Sequence, residues 1–470
     1  MEKSKKKFRL IDAILGTVCL TLVCESVMPT AAIGNTQYFW WIFLLVGFCL
    51  PYGMITAELG TTYPSEGGMY DWVKRAFGPK WAGRVAWNYW VNFPLWIASL
   101  AVAVTDIICG MFSVELNVLT LVCIQLLYVW IVTFLGTQRI GESKYVVNLG
   151  TFFKVFLLLG IGLLGIYSVI KTGQSANPIT SFKDLLPDLS LNIDTGLPFI
   201  SIILFNFMGF EVVGTWVDDM ENPKKDIPKA LIIGGLLMAL FYVLPATGFN
   251  IALSPDVVAE MDPENVVEVL KSLFTAVGIG AGLTKGLIIG AGCMFIYTFV
   301  ANIASWSFGV NEVAKYAAED GSMPKVFAKV NDEGVPYMAS IINGIVASII
   351  VIGGAVANSI SEDFGANFSL FFCLSWITLL VGYVPMFLAF LKLRKKDKNI
   401  ERPYKVPVSG AMEKVCAYVP FIILILGIVF TIFGDFSIDY LKDNIPLLVG
   451  VVLSFICEEV LVARIKKAKN

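Results

Sequence analysis

Residues 20–29, Leu-Thr-Leu-Val-Cys-Glu-Ser-Val-Met-Pro, place a carboxylate in the middle of the first long apolar segment of the chain. This segment, at 12–34, follows a basic tail and is long enough to cross a hydrocarbon layer roughly 30 Å thick. Glu25 would then lie near the middle of the layer, where a charge costs roughly 2.5 kcal/mol or more on insertion scales. A charge in that position needs a partner, a cavity or a ligand, so we predict that Glu25 is a functional residue.

The composition indicates a membrane protein with many crossing helices. Of the 470 residues, 57% are hydrophobic and only 15% are charged, and the mean hydropathy is +0.74. We therefore predict an all-α polytopic membrane protein with 12 transmembrane helices. The apolar segments lie at 12–34, 39–62, 85–112, 116–135, 148–170, 195–217, 229–254, 286–310, 336–356, 367–391, 413–434 and 444–464.

Lys and Arg residues are concentrated in alternate connections between these segments. If the N-terminal tail is cytoplasmic, 29 of the 35 basic residues fall on the cytoplasmic side, as the positive-inside rule requires. The sequence therefore predicts a multi-pass protein of the plasma membrane with both termini cytoplasmic.

Two of the apolar segments are interrupted by polar residues. In the first, Cys-Glu-Ser at 24–26 precedes a proline; in the sixth, Phe-Asn-Phe-Met-Gly-Phe-Glu at 205–211 sets polar groups and a glycine between apolar runs. Interrupted helices in matching positions of two halves indicate a midplane transport site, because unwound backbone exposes amides and carbonyls to a ligand. Because segments one and six are five apart, helices 1–5 and 6–10 are expected to form an inverted repeat, at about 12–170 and 195–391.

Three further motifs lie in the predicted cytoplasmic parts. The first is Ala-Glu-Leu-Gly-Thr-Thr-Tyr-Pro at 57–64, continuing through Glu-Gly-Gly-Met-Tyr at 66–70. The second joins Phe-Met-Gly-Phe-Glu at 207–211 to Glu-Asn-Pro-Lys-Lys-Asp-Ile-Pro-Lys-Ala at 221–230, and the third is Lys-Tyr-Ala-Ala-Glu-Asp-Gly-Ser-Met-Pro-Lys at 315–325. With these motifs the chain resembles the amino acid–polyamine–organocation (APC) transporter superfamily over nearly its whole length. The resemblance implies a LeuT-type 5+5 inverted repeat with helices 1 and 6 broken, alternating access, and a central site between helices 1, 3, 6, 8 and 10.

The expected organisation has four parts. A cytoplasmic tail at 1–11 precedes the transporter core at 12–391, and a cytoplasmic basic loop at 392–412 leads to helices 11–12 with a cytoplasmic tail at 413–470.

At the break in helix 1 the sequence departs from the pattern of the family that it resembles. Amino-acid-transporting members usually have a Gly-Ser-Gly run there, whose bare amides hold the substrate carboxylate, whereas this chain has Cys-Glu-Ser-Val at 24–27. A carboxylate in that place would repel a substrate carboxylate. The second helix, Pro-Tyr-Gly-Met-Ile-Thr-Ala-Glu at 51–58, is similar to that of the polyamine-uptake branch. We therefore predict a secondary active transporter, by uptake or antiport, of small cationic amines such as polyamines, putrescine or agmatine.

Two alternatives stay open at this point. An amino acid exchanger, or an antiporter of an amino acid and its decarboxylated amine, would fit if Glu25 were protonated. A non-transporting ligand sensor with a transporter fold would bind the same ligand without moving it.

The candidate substrate-binding residues lie at the two breaks and on the helices expected to face them. Aromatic faces among them could attract an amine by cation–π interaction. Glu25 itself could instead serve proton coupling or be a satisfied structural group. The set is Cys24, Glu25, Ser26, Trp96, Phe205, Asn206, Phe207, Gly209 and Trp306, with Asn92, Asn302, Ser305 and Tyr383 as weaker candidates and Asp106 as an outer attractor for cations.

Two charged residues are candidates for coupling or gating. Glu211 closes the break in helix 6 and could be a proton-responsive gate, a second amine partner, or a carboxylate that caps backbone amides. Lys154 is the one basic residue placed inside a predicted span, and it resembles the helix-5 lysine that replaces a sodium ion in sodium-independent relatives, bridging helices 1 and 8. The alternative interpretation is that the long side chain of Lys154 extends to the cytoplasmic interface, where its ammonium group meets water.

Enzyme motifs are missing from the sequence. It has no Gly-rich phosphate loop followed by Lys and Ser or Thr, no nucleophile elbow, no metal-type cysteine spacing and no histidine. We expect no enzymatic activity, cofactor, metal or nucleic acid; the expected partners are the amine substrate, a coupling proton or counter-substrate, and the lipid bilayer.

Overall fold

The computed structural model describes residues 9–65, 67–138, 144–192, 196–209, 211–212, 221–261, 265–360 and 367–465. Regular structure within these ranges is helical throughout. In chain order the α-helices are α1 (Leu10–Thr21), α2 (Val27–Ala31), α3 (Gln37–Leu44), α4 (Leu50–Thr62), α5 (Gly68–Phe77), α6 (Pro79–Phe112), α7 (Val118–Gly136), α8 (Lys144–Thr172), α9 (Ile200–Phe205), α10 (Pro223–Ala252), α11 (Pro255–Ala259), α12 (Val266–Ala276), α13 (Ala281–Glu319), α14 (Tyr337–Ile360), α15 (Phe368–Lys396), α16 (Ala411–Phe433), α17 (Ile438–Asp443) and α18 (Ile445–Ala463).

Ten helical stretches of the described chain are long and apolar enough to cross a membrane. One of them, Gly34–Thr62, joins α3 and α4 through a π-helical turn at Leu45–Cys49. The others are α6, α7, α8, α10, α13, α14, α15, α16 and α18. The predicted all-α polytopic class is confirmed, whereas the count of 12 crossings and the LeuT-type repeat stay predictions.

The first and sixth predicted segments are interrupted where the sequence indicated. α1 ends at Thr21 because Leu22 and Val23 take extended conformations, and the chain resumes with a 3-10 turn at Cys24–Ser26 and the short helix α2. α9 ends at Phe205, and Gly209 follows with φ +108°, a conformation that favours glycine. Neither α1, with 12 residues, nor α9, with 6, is long enough to span a membrane by itself.

The helices around these breaks form the centre of the bundle. α1 packs against α8, α10 and α13, α6 packs along α15, and α10 also contacts α4. The break after α1 is therefore enclosed by long helices, and the polar groups that it exposes must find partners on those helices.

One end of the bundle, which we call the basic end, gathers α5 with the C-terminal ends of α13 and α15. Lys74 of α5 pairs with Asp320 just after α13, and Lys396 of α15 donates to the carbonyl of Arg75 at 3.0 Å. Several helices continue here beyond the apolar segments predicted from sequence: α13 runs to Glu319 instead of 310, and α15 runs to Lys396 instead of 391. Hydropathy marks only the apolar part of a helix, so polar turns outside the membrane were left out of those predictions.

Small residues allow α8 and α10 to approach closely. Gly165 of α8 faces the backbone of Gly248 in α10, and a Cβ on Gly248 would lie 2.5 Å from the Cα of Gly162. Small residues at such crossings let helix backbones pack together in membranes.

We expect Gly248→Ala to destabilise the protein by roughly 1–3 kcal/mol, because the added methyl group meets backbone atoms that cannot rotate away. Thermal unfolding of the purified protein measures this effect. Gly160→Ala on α8 is the matched control, since a Cβ there has no atom within 4 Å. Equal melting temperatures for the two variants would contradict the close packing of α8 on α10.

Candidate functional site

The C-terminal end of α1 is held by side chains from three other helices. Where α1 ends, its last carbonyls lack partners within the helix. Lys154 of α8 donates to the carbonyl of Cys19 at 2.5 Å, Trp306 of α13 donates through Nε1 to that of Leu20 at 3.0 Å, and Tyr242 of α10 donates to that of Thr21 at 2.7 Å. The break therefore has a fixed geometry, although its backbone leaves the helical conformation.

Tyr242 spans the break itself. Its hydroxyl donates to the carbonyl of Thr21 and accepts the amide of Val23 at 2.7 Å, so one buried oxygen bridges the two sides of the extended residues. Its ring stacks on Trp41 of α3 at 5.3 Å. Sequence analysis missed this residue, and the available signal was a tyrosine inside an apolar helix, whose hydroxyl must find a partner when buried.

Polar side chains tie the two breaks together. Asn206, at the end of α9, accepts a hydrogen bond from the Ser26 hydroxyl and donates to the hydroxyl of Thr30 at 3.2 Å. Thr30 in turn donates to the carbonyl of Ser26 at 2.8 Å. The structure thus brings together two residues that the sequence predicted separately, Ser26 and Asn206, and it adds Thr30.

Glu25 lies in the 3-10 turn at Cys24–Ser26, directly after the extended residues. Its backbone is therefore at the break, as predicted, while its side chain lies outside the described part of the structure. The neighbouring Cys24 is completely buried.

Trp306, Trp96 and Gly209 form a wall beside the break. The Trp306 ring meets the Trp96 ring edge-on at a centroid distance of 5.7 Å, so α13 and α6 contribute one aromatic surface. A Cβ on Gly209 would lie 2.9 Å from the Trp306 ring, so only a glycine lets the chain of helix 6 pass there without displacing the indole. Asn302 lies one turn before Trp306 and is buried, and its side-chain oxygen has no donor among the described residues.

The two predicted phenylalanines occupy different surroundings. Phe207 is buried and packs edge-on against Trp41 at 5.5 Å, next to the ring that stacks on Tyr242. Phe205 instead packs against Phe372 and Trp376 of α15, at 4.7 and 5.0 Å. The weaker candidate Asn92 donates to carbonyls of its own helix, those of Asn88 and Tyr89.

Glu211 lies in a cage of tyrosines. Tyr52 of α4 and Tyr89 of α6 donate to its two carboxylate oxygens, the second at 2.7 Å, and Tyr383 of α15 contacts both tyrosine rings and faces the same carboxylate. The carboxylate is buried, and no basic side chain of the described chain pairs with it. Sequence analysis missed Tyr52 and Tyr89 for the same reason that it missed Tyr242.

Lys154 is buried, with only 1% of its surface exposed. It therefore does not snorkel to the membrane interface. Cys19, whose carbonyl it binds, also places its sulfur 3.6 Å from the hydroxyl of Ser305 on α13. Lys154 on α8 therefore contacts α1 directly, and Cys19 of α1 in turn contacts α13.

A cleft of about 330 Å³ opens at the end of the bundle opposite the basic end. Asp106 of α6 is exposed there, and Asn265 and Asn367 line the same cleft. The cleft thus contains the predicted residue Asp106, whose role as an outer attractor for cations stays a prediction.

Comparison with known proteins identifies the family. The family model described as amino acid permease matches residues 8–456. The chain belongs to the amino acid permease family. This confirms the resemblance to the APC superfamily that the motifs indicated.

Among its relatives, a probable agmatine/putrescine antiporter of Lactococcus lactis is 41% identical over 467 residues, which cover 99% of this chain and 96% of that protein. A probable polyamine transporter of Arabidopsis thaliana is 27% identical over 404 residues, covering 84% of this chain and 76% of the relative. Among solved structures, an Eremococcus coleocola manganese transporter in complex with an aromatic bis-isothiourea substituted compound aligns with a TM-score of 0.57 at 12% identity, over 96% of this chain and 94% of that one. The last comparison shows a shared fold.

We expect Tyr242→Phe to loosen the break without removing the ring that packs on Trp41. The variant loses the acceptor for the Val23 amide, and a buried group left without a partner costs about 1–3 kcal/mol, so this amide should exchange at least roughly fivefold faster. Hydrogen–deuterium exchange of a peptide covering 20–26 measures this.

Tyr167→Phe, which changes an exposed tyrosine on α8, is the control and should exchange like the unmodified protein. Unchanged exchange at Val23 in the Tyr242 variant would show that its hydroxyl does not hold the break.

Proposed function

We propose that the protein is a secondary active transporter that exchanges small cationic amines, with agmatine and putrescine as the pair. The observation that carries this proposal is the 41% identity, over nearly the full length of both chains, to a probable agmatine/putrescine antiporter. The chemistry of the helix-1 break agrees with it, since a carboxylate replaces the glycine-rich run that holds an amino acid's carboxylate in other members.

In this proposal Glu25 neutralises an amine or guanidinium group of the substrate. Its position directly after the extended residues puts its backbone beside the break that Tyr242 holds open. The Trp96 and Trp306 faces would stack on the cation. The unpaired oxygen of Asn302 is a further acceptor for an N–H group, because an ammonium or guanidinium group offers donors and no acceptors.

Ser26 and Asn206 have a positioning role in the same proposal. Their hydrogen bond couples helix 1 to helix 6, so a ligand held at one break would influence the other. The rest of the predicted set, Cys24, Phe205, Phe207 and Gly209, shapes the space around the breaks by packing.

We assign Lys154 the role of an internal cation that replaces sodium. The contact with the Cys19 carbonyl supports this, because a positive charge at the C-terminal end of α1 stabilises the helix dipole as a bound metal ion would. Transport should then proceed without sodium. We also propose that the basic end, with both termini, faces the cytoplasm, since most of the lysines and arginines lie on that side.

Exchange across proteoliposomes tests the function. Vesicles loaded with putrescine should take up labelled agmatine at a rate well above that of empty vesicles, with potassium as the only salt cation. Uptake that occurs equally from empty vesicles would reject exchange. Binding without any flux would instead favour the ligand sensor, and arginine uptake in preference to agmatine uptake would favour the amino acid alternative.

The Glu25→Gln variant tests the site in the same assay. Loss of a charged partner costs about 1.5–3 kcal/mol, so agmatine affinity should fall by at least about tenfold while the protein stays folded. Glu260→Gln is the control, because Glu260 is exposed in the connection after α11. Normal agmatine affinity in the Glu25 variant would remove this residue from the amine site.

Glu211→Gln distinguishes the two functional roles open to the caged carboxylate. It keeps the size of the side chain and one acceptor oxygen, replaces the other oxygen by an NH2 donor, and cannot ionise. If Glu211 is a proton-responsive gate, we expect amine affinity to be retained and the pH dependence of exchange to flatten.

A second amine partner would behave in the opposite way, with affinity lowered at least about tenfold and the pH profile kept. Glu458→Gln is a suitable control, since Glu458 is another buried carboxylate, on α18, bonded to Asn88. A variant with both affinity and pH profile unchanged would leave Glu211 with the structural role of a cap.

A further inference from the structure

A cavity of about 750 Å³ lies at the basic end, between the C-terminal end of α15, the loop that follows it and the start of α16. It is separate from the breaks in helices 1 and 6, and transport of an amine makes no use of it, since an amine is itself a cation. Its lining contains two arginines and four lysines, Arg394, Lys395, Lys398, Arg402, Lys405 and Lys414, against one carboxylate, Glu413.

The two arginines form a fixed base for this cavity. Their side chains are only 7% and 9% exposed, and both pair with Glu58 of α4, while Arg394 also pairs with Glu413 at 3.0 Å. Arginine charge is thus balanced by Glu58 and Glu413. One guanidinium nitrogen of Arg402, Nη1, is buried and has no acceptor among the described residues.

The positive charges of the four lysines in the lining are not balanced by carboxylates. All four are exposed, and no carboxylate of the described chain pairs with any of them; they are Lys395, Lys398, Lys405 and Lys414. Four ammonium groups around one concave space repel each other unless an anion occupies it. Each ammonium offers three donors and no acceptor, which suits the oxygens of a phosphate group.

One wall of the cavity is apolar and continues into the lipid-facing side of α16. Leu391, Ile400 and Tyr418 line the cavity. Met412 and Val415 on the same helix are about half exposed, at 56% and 48%, as expected of side chains that face lipid or its interface. An anion with an attached acyl chain would fit both surfaces at once.

We propose that this cavity binds a phosphate-bearing anion, and that the phosphate belongs to the headgroup of an anionic membrane lipid. The lysines bind the phosphate oxygens, and the acyl chains lie along the exposed apolar side of α16. The arginines keep the loop at 397–410 folded around the site, since Arg394 donates to the carbonyls of Val406 and Val408 and Glu58 accepts the amide of Val406.

The test uses the full-length protein purified in a neutral detergent. Mixed micelles containing phosphatidylglycerol or, for comparison, phosphatidylcholine are titrated while thermal unfolding is followed, because a ligand of the folded state raises its stability. A second arm replaces the lipid with inorganic phosphate or glycerol 3-phosphate. The rim variant, Lys398→Gln with Lys405→Gln and Lys414→Gln, leaves both arginines in place.

Its matched control is Lys80→Gln with Lys325→Gln and Lys329→Gln, which removes the same charge from exposed positions at the same end of the bundle. We expect phosphatidylglycerol to stabilise the unmodified protein and the control alike. The rim variant should need at least about tenfold more of it, because a basic residue near an anionic lipid contributes roughly a factor of five.

Equal weakening in the rim and control variants would reduce the effect to general attraction between a basic surface and anionic lipid, and would overturn the proposal. So would equal stabilisation by phosphatidylglycerol and phosphatidylcholine. Stabilisation by inorganic phosphate that the rim variant lacks, without an effect of phosphatidylglycerol, would keep the anion site and overturn its assignment to lipid. None of these outcomes depends on whether the protein exchanges amines.

Discussion

The end of α1 in the middle of the bundle is the constraint on which the rest of the structure depends. A helix that stops inside a membrane protein leaves carbonyl groups without partners, at a cost of about 1–3 kcal/mol for each buried group. Lys154, Trp306 and Tyr242 satisfy three successive carbonyls from three different helices. Three helices, α8, α10 and α13, therefore bind the C-terminal end of α1. This end lies one helical turn before Glu25 in the sequence.

The same three contacts explain how an extended stretch of backbone inside the bundle keeps one conformation. The extended residues Leu22 and Val23 are not free to sample many conformations, because Tyr242 bonds on both sides of them. On the helix-6 side, Asn206 holds Ser26, and Gly209 passes under the Trp306 ring. Movement of α13 or α10 relative to α1 would break these bonds, so the break is coupled to the helices around it.

The ion pairs of Glu58 are a second constraint, at the basic end of the bundle. Glu58 lies on α4 and binds both Arg394 and Arg402, so the segment after α15 is fixed to the helix that also carries Tyr52. Tyr52 in turn holds Glu211. The basic loop and the tyrosine cage are thus both attached to α4, the loop through Glu58 and the cage through Tyr52.

The sequence by itself determined the class of the molecule and the location of the breaks. Long apolar segments can satisfy their backbone in lipid as helices. Two of them are interrupted, one by Cys-Glu-Ser at 24–26 and the other by Asn206 and Gly209, because polar groups need partners and glycine favours non-helical backbone. Family motifs and the Cys-Glu-Ser-Val stretch at 24–27 then indicated amine transport. Only the tertiary structure decided which side chains satisfy the breaks. Three tyrosines that hold these groups are far from them in sequence, so no local sequence pattern predicts the contacts; they are Tyr242, Tyr52 and Tyr89. Phe205 packs against α15 because its surroundings are set by tertiary packing and not by its residue type.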